Sequence, residues 1–480
     1  MKVVPIERGF ESPPRLTSRL LGTSIVTTFA GGLHFIYLIS AVNPLSDVLQ
    51  QFIVENLRIR YSVDLSPSQL SLLWSSLAGS LFVGAIIGSY LSVPLLRKIG
   101  PRKTLLTAAT ILLFSTPLFG LAYSLHLAEL LPISRILSGI GFAIGISAQG
   151  VFLTEISPAK YRGLTNSLSG LIGNIAFIVA ASLGTPYLLG TVSLWKYIFI
   201  VESLPCIIHI TANILLFHDS PNYLLSIGKS VEAEASLNAY YGESCQVKKV
   251  LEELRTSDSG PKEKSLREIL MEKACARALS LSVAINFSVA FSGIIAISFF
   301  GTFLLQNVGF SPEGSTVANC LCSSSSIVSG LLAAIAIDKI GRRPLLISSL
   351  LILALINILM MALVFLYDST KDPILAWPFL ALFTLFTFVF SIGIGPAAVY
   401  IGAELAPPGT ISKMQSYSTS VQFIGSFICP IIYMSLIESI GGMAFSLFIV
   451  PLTITAAYFY MYLPETKGKT PLEINDLLRK

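Results

Sequence analysis

The sequence predicts an all-α membrane protein, twelve transmembrane helices in two six-helix bundles, and three observations predict it. Of 480 residues, 53% are hydrophobic and only 12% are charged, against about 25% charged in soluble domains; mean hydropathy is +0.74. The apolar residues fall in runs long enough for a helix to cross a hydrocarbon core, which takes roughly 20 residues. A short basic turn also occurs twice, PLLRKIGPRKTLL at 94–106 and AIDKIGRRPLL at 336–346, sharing Lys-Ile-Gly at 98–100 and 339–341. A turn repeated at equivalent places implies two repeated halves.

Taken in order, residues 1–19 read as a polar, Pro-containing tail. It has no apolar core with a small-residue cleavage site, so the first span is expected to stay as an anchor. Spans follow near 20–43, 70–96, 104–126, 130–153, 164–190 and 195–217, forming a first bundle over 20–217. A polar linker occupies 218–276. The second bundle, 277–463, has spans near 277–304, 315–337, 344–367, 374–403, 412–437 and 443–463, and a tail covers 464–480. These runs are continuously apolar rather than alternating in ten-residue units, which excludes a transmembrane β-barrel. Glycines inside them, among them Gly84, Gly139 and Gly145, are what membrane helices use to bring backbones together. In the linker, Val231, Ala235, Leu237 and Ala239, then Val247, Val250, Leu251 and Leu254, recur among charged residues. That spacing predicts short amphipathic helices that brace the bundle ends.

Lys and Arg set the orientation. Arg97, Lys98, Arg102, Lys103, Lys160, Arg162, Lys339, Arg342 and Arg343 share one set of loops, which predicts cytoplasmic termini and a multi-pass protein of the plasma membrane. The net charge of +5 follows from this loop bias and calls for no nucleic-acid partner. The six cysteines read as small packing residues. His34, His126, His209 and His218 show no ligand spacing, so neither a metal nor another cofactor is expected. No Walker loop, HExxH or GxSxG opens a helix, so the sequence does not read as an enzyme. Six plus six helices around a polar connector is the pattern of a transporter built from two repeats.

Further motifs carry a family resemblance. RILSGIGFAIGISAQGVFLTEISPAKYRG at 135–163 resembles the sugar porter pattern of the major facilitator superfamily, with Arg135, Glu155, Pro158, Arg162 and Gly163 in its places. HDSPNYLL at 218–225 resembles the Pro-Glu-Ser-Pro-Arg motif after the sixth helix. LPETKGKT at 463–470 resembles the Pro-Glu-Thr-Lys-Gly that ends the twelfth, and GIGPAAVYIGAEL at 393–405 the Gly-Pro-rich segment of the tenth. The resemblance runs from about residue 19 to 470, and the chain is similar to facilitative glucose transporters. It implies a gate of paired charges at the cytoplasmic helix ends, Arg97, Arg102, Glu155, Arg162 and Asp219 in one half and Asp338, Arg342, Arg343, Glu404 and Glu465 in the other, with Arg135, which opens the fourth helix, counted among the gating residues. Parts of that pattern are missing. Arg97 stands opposite Asp338, Asn222 replaces an Arg, and Ile411 stands where Arg162 has its counterpart, with Lys413 the nearest cation.

The family's sugar-contacting amides are largely replaced, by Gly170, Val289, Ala290 and Ile295, and its tryptophan on the tenth helix by Val399. The polar residues left near the expected cavity are His34, Asn174, Asn286, Ser292, Ser326, Tyr400 and Gln422, with Asn286 and Gln422 foremost because an amide within a span needs a partner. The expected partners are thus a small sugar-like solute and the lipid bilayer, in an unspecified oligomeric state. Proton-coupled relatives carry an acid on the first helix where this chain has Leu38. Glu202 is the acid clearly within a span, and intramembrane acids are functional candidates. The sequence therefore predicts a facilitative alternating-access carrier, with a transporter-like sensor, a carrier of a less polar solute, or a proton-coupled symporter using Glu202 as alternatives.

Overall fold

The computed structural model describes residues 16–480 apart from 159, 243–246, 248–249, 253–263, 408–409, 468, 470 and 480. Every regular element among the described residues is a helix. Among the described residues, eight segments are long and apolar enough to cross a membrane, nine with the bent pair Ser18–Ala30 and Gly32–Val42 taken as one span. Pro67–Leu125 and Lys413–Tyr462 run 59 and 50 residues, each more than two crossings need. Pro312–Ile340 adds a further 29-residue helix. Among the described residues, taking each of those two long segments as two passes and Pro312–Ile340 as one gives the expected twelve.

The repeated turn has the same backbone in both places. Gly100 takes φ +78° between the second and third spans, and Gly341 takes φ +98° between the eighth and ninth. Only glycine adopts that region without strain. A side chain would also collide there, since a Cβ on Gly100 would sit 2.5 Å from the Tyr223 ring and one on Gly341 3.0 Å from Glu465 Oε2.

The chain packs as two compact units, discontinuous in sequence. One comprises Met1–Leu38, Val83–Ala176 and Lys196–Lys262; the other comprises Ile39–Phe82, Phe177–Trp195 and Glu263–Lys480. In the first unit, glycines let helices touch backbone to backbone. A Cβ on Gly84 would lie 1.9 Å from the Ile136 carbonyl oxygen, and one on Gly145 1.8 Å from that of Ala30. At the end carrying the basic turn, Leu20, Leu105, Phe152, Ile156 and Phe217 form a core that also takes in the linker. The linker helix Ser230–Tyr241 buries Ala233, Ser236, Leu237, Tyr240 and Tyr241. This corrects the expected face: Leu237 lies on it, but Val231 is 83% exposed, because the i, i+4, i+7 stripe begins two residues later than the sequence reading placed it. Val247, Val250 and Leu251 join the same core, whereas Leu254 and Cys245 lie outside the described residues.

In the second unit, Lys273–Ala290 packs on Ile411–Ile440, Pro312–Ile340 on Ala376–Ile392, and Arg342–Thr370 on Ser446–Tyr462. The seventh span breaks at Gly293, φ +104°, between Lys273–Ala290 and Ile294–Gln306. Asn357 repairs the break by donating to the Ser292 carbonyl at 3.2 Å. The C-terminal helix Pro471–Arg479 returns to the seventh span, where Arg277 donates to the Leu478 carbonyl at 3.0 Å.

Candidate functional site

Four polar features stand out: a cluster at the basic end of each unit, a buried charge cluster in the first, and a cavity in the second.

In the first unit, Arg102 opens the third span and reaches the end of the sixth. Its guanidinium donates to the Asn213 carbonyl at 2.8 Å and lies 3.9 Å from Asp219. Asn213 answers by donating to the Arg102 carbonyl at 3.2 Å. Partial burial pushes the Asp219 carboxyl above its ordinary range, against the pull of Arg102. Glu155, at the end of the fourth span, accepts from the Ser220 hydroxyl and from Asn222, the residue standing where the family motif has Arg. Ser220 also caps the helix Pro221–Ser226. Arg97 is exposed and Arg162 half-buried at the start of the fifth span.

In the second unit, Arg342 lies 3.5 Å from Glu404, which also accepts from the Thr466 hydroxyl at 2.6 Å. Glu465 does something the charge-pair reading did not foresee. Its two oxygens accept the backbone N–H groups of Arg342 and Arg343 at 3.0 and 3.1 Å, the first turn of the helix Arg342–Thr370. Four free N–H groups and the positive end of the helix dipole make that terminus a carboxylate site. Partial burial acts upward on the Glu465 carboxyl, but these backbone donors outweigh it and hold it below its ordinary range. Lys413 does not reach Glu404; it donates to the Lys264 carbonyl at 2.8 Å. The side chain of Asp338 lies outside those described.

Arg135 lies apart from both clusters. It is 1% exposed and stands twenty residues before Glu155 on one continuous helix, about 30 Å away at 1.5 Å per residue. It therefore belongs to no basic-end cluster. Its guanidinium donates to the Leu38 carbonyl at 3.4 Å and lies within electrostatic range of Glu202. Glu202 in turn meets His34, with Nδ1 to Oε1 at 3.0 Å and both side chains fully buried.

The substrate candidates spread over both units. In the first, both ring nitrogens of His34 are engaged by protein, so a solute contact there would displace one of them. Asn174 is half-buried. In the second, Asn286 donates to the Ser282 and Ala398 carbonyls at 2.8 and 3.4 Å, the helix-to-helix use that polar residues in spans commonly have. Ser292 accepts the Ile294 N–H at 3.2 Å across the seventh-span break. Gln422 is half-buried beside Phe423, whose ring stacks on Phe82 at 6.1 Å. The side chains of Ser326 and Tyr400 lie outside those described.

Of the five whose side chains are described, none lines the cavity in the second unit, which measures about 220 Å³. Its apolar walls include Trp74, Phe299, Phe300 and Phe303, and its polar groups include Asn43, Gln50, Asp47 and Glu438. Asn43 is held from both sides, accepting the Thr302 N–H at 3.1 Å and donating to the Ile297 carbonyl at 3.5 Å. Sequence reasoning missed it, although an amide closing an apolar run just before a proline was the signal available.

Twelve passes in two repeats, with matching glycine turns and charge clusters at helix ends, define a polytopic α-helical membrane transporter. The fold matches the inward-open xylose transporter XylE of E. coli at a TM-score of 0.77 and 20% identity, covering 95% of this chain and 99% of that one; it is the fold of the major facilitator superfamily. The chain belongs to the sugar (and other) transporter family, whose model matches residues 23–478. Among curated proteins it is 25% identical to mouse solute carrier family 2, facilitated glucose transporter member 7, over 98% of this chain and 92% of the relative. It is equally 25% identical to facilitated glucose transporter protein 1 of Caenorhabditis elegans, over 97% and 92%. It is a transporter and not an enzyme.

Proposed function

We propose that this chain carries a small, sugar-like organic solute by alternating access, moving it down its own gradient across the plasma membrane with both termini cytoplasmic. The cavity of the second unit carries the reading: aromatic walls face amides and carboxylates, the combination that holds a hydroxylated ring by its apolar faces and its hydroxyls. Its volume, about 220 Å³, falls below the ~300–1,000 Å³ of drug-sized pockets, which suits a small solute. The names of the relatives agree in kind. The basic-end clusters supply the gate. Each is built of weak, partly exposed contacts worth ~0–1 kcal/mol, and a carrier must move between states separated by little free energy.

The test is uptake of labelled hexoses into proteoliposomes, with Trp74→Ala and Asn43→Ala as variants. Uptake that saturates and falls several-fold in both variants supports the reading. Uptake insensitive to both would place the solute elsewhere. A second reading, proton-coupled transport through Glu202, is favoured by one observation: its carboxylate is wholly buried against His34.

A further inference from the structure

The cavity of the second unit draws its two carboxylates from opposite kinds of helix end. Asp47 stands in the first turn of the helix Ser46–Tyr61, and Glu438 in the last turn of Ile411–Ile440. A helix carries partial positive charge at its N-terminus and partial negative charge at its C-terminus. Ser46–Tyr61 therefore offsets part of the Asp47 charge, while Ile411–Ile440 adds to that of Glu438. The two helix ends roughly cancel, and the lining keeps the charge of both carboxylates.

Nothing in the lining balances that charge. No lysine, arginine or histidine is among the residues that line the cavity. Lys413 shares a helix with Glu438 but stands twenty-five residues earlier, roughly 37 Å away at 1.5 Å per residue. Away from the basic end of this unit, Arg58 pairs with Asp64 at 3.6 Å and Lys371 with Asp368 at 3.0 Å, and Arg60 lies over the Tyr61 ring at 5.5 Å. Asp47 accepts the hydroxyl of the neighbouring Ser46 at 3.3 Å. Neither Asp47 nor Glu438 has an ion-pair partner among the described residues.

The walls favour the same sign of charge. Both acids are exposed and mark the mouth, whereas Trp74, Phe299 and Phe300 are buried behind them. Aromatic faces are negative and attract a cation held within about 6 Å, tryptophan most strongly. The Trp74 indole N–H has no acceptor among the described residues. Buried donors are nearly always paired, and the cavity that Trp74 lines is where its acceptor can enter. Gln50 is half-buried in the same lining, and its amide can both donate and accept. A neutral hydroxyl given to Asp47 or Glu438 would donate one hydrogen bond and leave the charge in place. An ammonium would balance the charge and also meet the rings.

We propose that this cavity selects a small hydroxylated solute bearing an ammonium group. The ammonium sits between Asp47, Glu438 and the Trp74 ring, and the hydroxyls meet Gln50 and the indole N–H. This rests on the carrier reading of the cavity and narrows its class of solute.

Glucose and 2-amino-2-deoxyglucose test it, since they differ by one hydroxyl against one ammonium. Work at about pH 6 keeps such an amine protonated. Two measurements are compared: exchange of each labelled sugar by counterflow in proteoliposomes, and calorimetric titration of the detergent-solubilised protein with each sugar. In both, the amino sugar should be favoured roughly tenfold, the product of one ion pair and one cation–π contact. The ratio between the sugars should fall in Asp47→Asn and in Glu438→Gln and approach one in the double variant, whatever the absolute rates. Raised salt should lower it as well, because the acids are exposed. Equal binding of the two sugars by wild type, or a preference that survives the double variant, would overturn the proposal; exchange of glucose would then leave the carrier reading standing. If neither labelled sugar exchanged, the carrier reading would fall, and the calorimetric ratio would still decide the preference of the cavity.

Discussion

Gly84 and Gly150 show what a single residue decides in this molecule. A Cβ on Gly84 would meet the Ile136 carbonyl oxygen at 1.9 Å, whereas one on Gly150 meets nothing within 4 Å. Backbone cannot yield as the tip of a side chain can, so Gly84→Ala forces the second and fourth spans apart. Overpacking of this kind costs ~1–3 kcal/mol. A melting curve of the detergent-solubilised protein should shift clearly downward for Gly84→Ala and stay near wild type for Gly150→Ala; equal shifts would contradict the close approach. Gln149 makes the same point for a polar group. It accepts the Gly32 N–H at 3.1 Å where the first span breaks, and an unsatisfied buried donor costs ~1–3 kcal/mol. Gln149→Leu should therefore lower the melting temperature, while Gln149→Glu, which keeps the acceptor, should recover much of the loss.

At the scale of elements, Glu465 ties a tail to the start of a span. Its carboxylate is held below the ordinary glutamate range by backbone donors, so folding is favoured by its charged form. That contribution is complete above the ordinary value of about 4.5 and fades as pH falls through the lower folded value. A charge at a helix N-terminus is worth ~0.3–1 kcal/mol. The difference in melting temperature between wild type and Glu465→Gln should be present near neutral pH and absent in acid. A difference that grows on acidification would show that the capping is misread. Glu404→Gln tests the neighbouring contact, since breaking an Arg342 pair worth ~0–1 kcal/mol should shift the accessibility of an engineered reporter cysteine by no more than about fivefold. The sequence reading foresaw a charge at this position but not its use. The Pro-Glu-Thr-Lys-Gly run marks Glu465, yet which N–H groups it meets depends on how the twelfth span returns to the ninth.

Across the whole molecule, what was legible is what local chemistry controls. Apolar run length gave the spans, and the shared Lys-Ile-Gly gave two turns whose glycines both take positive φ. The site was less legible because its contacts join distant positions. His34 and Glu202 were each visible as polar residues in apolar runs, but their pairing is a property of how the first span packs on the sixth. Asn286 drew attention as an amide within a span, and the structure gives that amide backbone partners. The cavity, by contrast, is lined by residues such as Trp74 and Phe299 that look like ordinary core in sequence. Transport of a hexose-like solute is the proposal on which the rest depends. Counterflow tests it most directly: proteoliposomes loaded with unlabelled hexose, diluted into trace labelled hexose. Rapid labelled entry with a transient overshoot is expected, absent in vesicles loaded with buffer alone. Saturable binding without trans-accelerated entry, for every hexose tried, would contradict it.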